Sequence, residues 1–132
     1  MNIVPEQFAD LLQDDKKVYA SLATTMKDGS PQVTLVWFNT DGTHILVNSA
    51  KGRTKDKNMR QRPYVAVLLV DPQNPYRFIQ IRGKVVDFTE LGAKEHIDAL
   101  NLKYRGEPNY PGSPDEVRVI FKIHPEHVIV RG

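Results

Sequence analysis

Turn-forming dipeptides divide most of this chain into short segments rich in β-branched and aromatic residues. Asp-Gly occurs at 28–29 and 41–42, Asp-Pro at 71–72 and Asn-Pro at 74–75. Such dipeptides favour tight turns, and the segments between them have the length and composition of strands. Because the connections are short, the strands they join are expected to be antiparallel. The predicted strands are 18–25, 31–38, 43–49, 64–70, 78–81 with 84–88, 117–123 and 128–131.

Three other segments predict helices. Residues 5–12 favour a short helix, because Pro5 suits a first turn and Phe8 and Leu11 fall on one face. Residues 54–61 predict a second short helix, and residues 91–104 predict a longer one. Gly83 interrupts one long strand, which indicates a bulge or a close backbone approach, and Pro125 separates the last two strands. About seven antiparallel strands and a few helices predict a mainly β fold, a small barrel.

Length and composition limit the class of protein. A chain of 132 residues has the size of one domain, so we expect residues 1–132 to form a single domain. Hydrophobic residues are 40% of the chain and charged residues 26%, as in globular proteins, and no apolar run approaches the roughly 20 residues that cross a bilayer. The absence of cysteine excludes disulfides, thiolate metal ligands and cysteine nucleophiles. No signal-peptide pattern opens the chain, so a cytoplasmic location is expected.

Basic residues are concentrated in residues 51–62, directly after a predicted strand. Six cations and one acid give this segment a charge of +5, within a total of only +2 for the chain. Such local charge favours a small anion, because a nucleic-acid surface usually spreads Lys and Arg over a whole face. Arg53 and Lys55 alternate along what should be an extended stretch, so we expect them to point the same way, with Lys57 and Asn58 one helical turn further on. A solvated charged helix is the alternative interpretation.

The four histidines give weak signals. His124 and His127 have an H-x-x-H spacing, but Pro125 lies between them and no third ligand is near. No metal site is therefore predicted. His44 and His96 are interpreted as a strand residue and an exposed helix residue.

Ser49 has no nucleophile motif around it and is interpreted as a hydrogen-bond donor to phosphate. Trp37 and Phe38 are interpreted as core or subunit-contact residues, with a place in a ligand cleft as the alternative. An RNA-binding barrel would need aromatic platforms beside the cations, and only Tyr64 is near. No nucleic-acid partner is therefore expected.

The order of motifs along the chain resembles a known family. The motifs are Gly29-x-Pro31, Trp37, Ser49-x-x-x-Arg53-x-Lys55-x-x-Asn58 and Arg62-Pro63, followed by an apolar strand. Together they resemble the pyridoxamine 5′-phosphate oxidase-like split barrels over nearly the whole chain.

The resemblance implies an antiparallel split β-barrel, also called the FMN-binding split barrel. It also implies a homodimer that holds two cofactors at its subunit interface, either FMN or the deazaflavin coenzyme F-420. The implied phosphate-binding residues are Ser49, Arg53, Thr54, Lys55 and Asn58. The residues implied to border the cofactor ring are Pro31, Gln32, Val33 and Thr34.

Departures from the vitamin B6 oxidases indicate the branch. Those enzymes carry an Arg and a Lys on the second strand and end with an Arg-Leu-x-Pro run. Here residues 31–37 contain no cation, and the chain ends Val-Ile-Val-Arg-Gly. These features resemble the deazaflavin-dependent branch, whose implied activity is hydride transfer to an unsaturated small molecule such as a quinone, enone or tetrapyrrole. An FMN-dependent oxidoreductase or a non-catalytic flavin-binding protein is the alternative, and no catalytic residue is predicted.

Overall fold

The computed structural model describes all 132 residues. Two short 3₁₀ helices, Glu6–Leu12 and Asp14–Lys16, precede the first strand. The strands are β1 (Ala20–Thr25), β2 (Pro31–Val36), β3 (Phe38–Thr40), β4 (Ile45–Ala50), β5 (Tyr64–Asp71), β6 (Asn74–Thr89) and β7 (Arg118–Arg131). The α-helices are α1 (Thr54–Gln61), between β4 and β5, and α2 (Ala93–Arg105), between β6 and β7. Neither helix is both long and apolar enough to cross a membrane.

All seven strands form one antiparallel sheet in the order β2-β1-β5-β6-β7-β4-β3. β2 and β3 are therefore the two edge strands, yet only Trp37 separates them in the chain. The sheet must curl until its two edges meet at Trp37. This curl confirms the expected mainly β, barrel-like fold, and it shows why the predicted strand 31–38 is wrong. Its first part pairs with β1 and its last part with β4, so the strand breaks between them.

The concave side of the curled sheet holds the main core, a cluster of 20 buried hydrophobic residues. Alternate residues of each strand face inward, as the two-residue period of a strand requires. On β1, for example, Ala20 and Leu22 are buried and lie opposite the buried Leu69 and Val67 of β5.

The two longest strands, β6 and β7, share an irregularity near Gly83. The register shifts between Arg82 and Gly83, which puts Gly83 opposite Pro125, and a Cβ on Gly83 would lie 2.5 Å from the carbonyl oxygen of His124. The predicted bulge and close approach at Gly83 are confirmed. The predicted division of the last strand at Pro125 is wrong, because irregular pairing at a bulge accommodates a residue that has no amide hydrogen.

The helix predictions differ in accuracy. The predicted helix 54–61 matches α1, whereas the helix predicted from residue 91 begins at Ala93. Gly92, the N-cap residue, has a φ of 76°, a left-handed conformation that a residue within an α-helix does not have, so α2 begins only after it. The predicted N-terminal helix is of the 3₁₀ type and places Phe8 and Leu11 in the core, as expected.

Helix α2 packs where the two sheet edges meet. The Tyr104 hydroxyl donates to the carbonyl of Val18 at 2.5 Å and accepts from the Phe38 amide at 3.3 Å. Val18 lies just before β1, the neighbour of the edge strand β2, and Phe38 begins the edge strand β3, so one hydroxyl joins the two sides of the split. Burial raises the pKa of Tyr104, which keeps this donor protonated.

Candidate anion-binding site

A pocket opens where the chain passes from β2 into β3, at the split between the sheet edges. Its volume is about 200 Å³, and its wall combines β2, β4, α1, α2 and β7 with the residue before β1 and the loop after α2. The charged and aromatic side chains of this wall are Arg53, Lys55, Arg118, Tyr19, Trp37 and Tyr110.

Arg53 and Lys55 reach the pocket from the first turn of α1. Arg53 is the N-cap and has extended backbone angles, whereas Lys55 is already the second helical residue. The expected alternation along an extended stretch is therefore wrong, because the helix begins at Thr54. The two side chains nevertheless line the same pocket, as the phosphate hypothesis requires.

Asp56 fixes the loop that presents these two cations. Its carboxylate is 2% exposed and accepts hydrogen bonds from the Gly52 amide and from Arg60 Nε, both at 2.8 Å. Gly52 has a φ of 95°, which glycine adopts without strain. The one acid of the basic segment is thus engaged with the loop and with Arg60. It leaves the charges of Arg53 and Lys55 available to a ligand.

Lys55 has no partner within the chain. Its ammonium group takes part in no ion pair and no side-chain hydrogen bond. Burial lowers the pKa of Lys55, and the charges of Arg53 and Arg118 lower it further. A half-buried cation beside two other cations is unfavourable until an anion lies between them. This arrangement favours an anion site over a solvated charged helix.

Arg118 is the third cation of the pocket, and two other residues hold its guanidinium. Its Nε donates to Asn48 Oδ1 at 2.8 Å, and its Nη1 donates to the carboxylate of Glu116. The second carboxylate oxygen of Glu116 lies 3.9 Å from the guanidinium of Arg53. Glu116 itself lies outside the pocket wall, and together with the three pocket cations it gives a net formal charge of +2.

Asn48 and His96 connect Arg118 to α2. Asn48 Nδ2 donates to the Ala93 carbonyl at 2.9 Å and to His96 Nδ1 at 3.0 Å, and His96 Nε2 donates to Asn39 Oδ1 at 2.8 Å. These contacts assign the neutral Nε2–H tautomer to His96. Burial, followed by the charge of Arg118, lowers the pKa of His96 to about 4, which agrees with a neutral ring. The expectation that His96 is an exposed helix residue is wrong, because α2 packs this side chain against Asn48 of β4.

Aromatic rings form the apolar side of the pocket. Trp37 stacks on Tyr104 with ring centroids 5.3 Å apart, and Tyr110 meets Trp37 edge-on at 6.1 Å. Phe38 is fully buried in the main core, as expected, whereas Trp37 lines the pocket, which was the alternative interpretation. A flat aromatic wall beside cations suits a ligand that is planar at one end and anionic at the other.

Three of the residues implied to bind phosphate lie outside the pocket wall. Ser49 is buried behind it on β4, and Thr54 is exposed on α1. Asn58 is 3% exposed, donates to Thr24 Oγ1 at 3.0 Å and accepts from Arg62 at 3.0 Å. Its side chain therefore links α1 to β1.

The residues implied to border the ring lie on β2, before the end of the strand that reaches the pocket. Pro31 and Val33 are exposed on the convex face of the sheet, and Gln32 and Thr34 are half-buried. Leu35, one residue further on, does line the pocket.

Sequence reasoning missed four polar or aromatic residues of the wall, which are Tyr19, Asn48, Tyr110 and Arg118. Each lies far in sequence from the basic segment or outside its motif. The sequence offered two signals for such residues. Tyr110 is a lone tyrosine in a Gly/Pro-rich loop, and Arg118 is an arginine at the start of an apolar strand. The fold brings them to Arg53 and Lys55.

A curled antiparallel sheet with a pocket at its split is a split barrel, and comparison with known proteins confirms this expected fold. The chain belongs to the pyridoxamine 5′-phosphate oxidase family, because the sequence model of that family matches residues 4–132. A solved structure described as an F-420 reductase is 34% identical, with a TM-score of 0.85 and coverage of 96% of this chain and 98% of that one.

More distant solved structures share the fold. A conserved hypothetical protein from Mycobacterium tuberculosis is 22% identical, with a TM-score of 0.75 and coverage of 98% of this chain and 85% of that one. A heme storage protein from Vibrio cholerae is 16% identical, with a TM-score of 0.67 and coverage of 96% and 93%. No protein in the curated set of sequences is a match. The similarities support a flavin- or deazaflavin-related split barrel, and the heme storage protein shows that the fold also serves storage.

Proposed function

We propose that this protein is a deazaflavin-dependent oxidoreductase, which uses coenzyme F-420 to reduce an unsaturated small molecule. The observation that carries the proposal is the unpaired, half-buried Lys55, which shares a pocket with Arg53 and Trp37. Lys55 and Arg53 can contact the anionic part of a ligand there, while Trp37 contacts its planar part. The 34% identity to an F-420 reductase over nearly the full length supports the deazaflavin.

In this proposal Arg53 and Lys55 contact the coenzyme phosphate directly, and Thr54 lies at the rim of the site. Asn58 acts from behind the pocket wall, because its side chain links α1 to β1, and Ser49 is buried on β4 behind the same wall. The coenzyme, when bound, supplies the hydride chemistry. The protein binds and orients the coenzyme and excludes water from it.

We also propose that the protein is a homodimer. Val33 and Leu35 are 66% and 65% exposed on the convex face of β2, and Tyr64 on the same face is 63% exposed. A second copy that covers this face would bury these side chains, extend the pocket beside Leu35 and bring the residues 31–34 to the ring.

FMN is the second candidate cofactor. Three cations in one pocket also suit a phosphate monoester, and the family name of the matching sequence model refers to a flavin-type oxidase. A flavin-binding protein without a substrate would use the same contacts.

Two measurements distinguish F-420 from FMN and an enzyme from a binding protein: cofactor titration followed by absorbance, and the rate at which acceptors oxidise reduced F-420. The absorbance spectrum of the purified protein is recorded first, and then F-420 and FMN are titrated separately. Reduced F-420 is next mixed with quinones, enones and tetrapyrroles. We expect F-420 to bind more tightly and at least one acceptor to oxidise it faster than in free solution, because holding both partners together removes much of the entropic cost.

Two results would contradict the proposal. Flavin that copurifies with the protein, together with failure to bind F-420, would favour the FMN alternative. Tight binding of F-420 without acceleration for any acceptor would favour a binding protein.

A further inference from the structure

Glu116 lies outside the pocket wall but contacts two of the three pocket cations, Arg53 and Arg118. It lies in the loop that leads into β7, and its side chain is 19% exposed while that of Arg118 is only 7% exposed. One of its oxygens accepts from Arg118 and the other faces Arg53 at 3.9 Å. A carboxylate of the protein therefore bridges β7 and the start of α1, between two guanidinium groups that could both hold a ligand anion.

The side chain of Arg118 is held in one position by its neighbours, so a ligand anion binds where this guanidinium already lies. Asn48 holds Nε, and the Tyr110 ring lies 5.3 Å from the guanidinium carbon. The contact of Glu116 with Arg53 is long, and Arg53 is half-exposed. Such exposed pairs contribute little free energy, so a ligand can replace this half of the bridge easily. A bound phosphate would then remain close to the charge of Glu116.

We propose that Glu116 shifts the selectivity of this pocket toward a monoanionic phosphodiester, because its charge lowers the affinity for a dianionic phosphate monoester more than the affinity for a diester. This inference rests on the proposed function, because F-420 carries a phosphodiester whereas FMN carries a monoester. Without Glu116 the three cations would have no internal counter-charge. With it, the net formal charge is +2, so each negative charge of a ligand is attracted less strongly than it would be by the three cations alone.

The expected selectivity follows from Coulomb's law. Repulsion between Glu116 and the phosphate scales with the product of their charges. A phosphate monoester has its second pKa near about 6, so at pH 7.5 it carries nearly two charges. Removing the Glu116 charge should therefore raise the logarithm of the monoester affinity about twice as much as that of the diester affinity.

The test compares the parent with Glu116→Gln, which keeps the shape and a hydrogen-bond acceptor for Arg118. Glu107→Gln is the matched control, because Glu107 is exposed in the same loop and lies away from the pocket wall. The ligands are F-420, FMN, phenyl phosphate and diphenyl phosphate, titrated at pH 7.5 by calorimetry or NMR. We expect Glu116→Gln to strengthen diester binding about threefold and monoester binding about tenfold. We expect no change in the control.

Equal gains for both esters, or weaker binding of both, would overturn the inference, as would a pocket that binds neither aryl phosphate. If Glu116→Gln does not fold, the effect of the Glu116 charge is measured in a background that lacks Arg118. Arg118→Gln is then compared with the double variant Glu116→Gln/Arg118→Gln, because the loss of Glu116 leaves no buried arginine without a partner there. The same doubled gain for the monoester is expected between these two. Failure of the parent to bind F-420 would refute the proposed function, whereas the aryl phosphates still test Glu116.

Discussion

Acidification should destabilise this protein through His96. In the folded state Nδ1 of His96 accepts a hydrogen bond from Asn48, and burial first and Arg118 second lower its pKa from 6.5 to about 4. The unfolded chain binds the proton near pH 6.5, whereas the folded chain resists it until about pH 4. The stabilising contribution of neutral His96 is therefore fully present above pH 6.5 and is lost as the pH falls toward 4.

The size of this loss follows from the two pKa values. The full difference corresponds to about 3 kcal/mol of unfolding free energy. By the same relation, about 1 kcal/mol should be lost at pH 5.5 and about 2–3 kcal/mol at pH 4.5. Carboxylates also titrate near the lower end of this range, so the effect of His96 is measured as a difference between variants.

The assay is urea denaturation from pH 7.5 to 4.5 on the parent, His96→Gln and the control His127→Gln. Glutamine keeps a donor and an acceptor but takes up no proton, so His96→Gln should lose much of the pH dependence. His127 is exposed on β7, so its variant should behave as the parent does. An NMR titration of the His96 ring should give a midpoint near 4. A midpoint above 6, or parallel stability curves for parent and His96→Gln, would show that neutral His96 does not cause the loss of stability in acid.

Two further predictions concern the fold. Tyr104→Phe removes the hydroxyl that joins Val18, just before β1, to the start of β3 and should cost about 1–3 kcal/mol in denaturant unfolding, whereas Tyr19→Phe, whose hydroxyl has no partner, should cost less than about 0.5 kcal/mol; equal costs would contradict the role of Tyr104. Gly83→Ala places a Cβ 2.5 Å from the His124 carbonyl and should cost at least about 1–3 kcal/mol, so an unchanged melting temperature would contradict the close approach.

Local features of the fold were predictable from the sequence. The helix at 54–61 and the irregularity at Gly83 depend on residue types and spacings within a few positions. The break at Trp37 was not predictable in this way, because residues 31–36 and 38–40 are equally suited to one strand. Their separation depends on which partner strand each of them finds.

The residues of the candidate site also fall into two groups, those that a local motif reveals and those that only the fold brings together. Arg53 and Lys55 share a short motif and could be found from it. Arg118 reaches them only because β7 pairs with β4 in a register that puts Arg118 opposite Ala50, three residues before Arg53. His96 and Asn48 meet because α2 folds back on β4. Such contacts between distant segments leave no local pattern in one sequence.

We propose that Lys55, which has no partner within the chain, binds the anionic part of a coenzyme. The most direct test of this proposal is calorimetric titration of F-420 into the parent, Lys55→Met and Lys57→Met, with melting temperatures measured in parallel. Lys57 is exposed on the same helix and lies away from the pocket wall, which makes it the matched control.

We expect Lys55→Met to weaken binding by about 1.5–3 kcal/mol, or about 10- to 150-fold, because a charge-assisted contact is lost. Its melting temperature should stay the same or rise, since an unpaired half-buried cation has been removed. Lys57→Met should bind as the parent does. Parent-like affinity in Lys55→Met, at an unchanged melting temperature, would contradict the account.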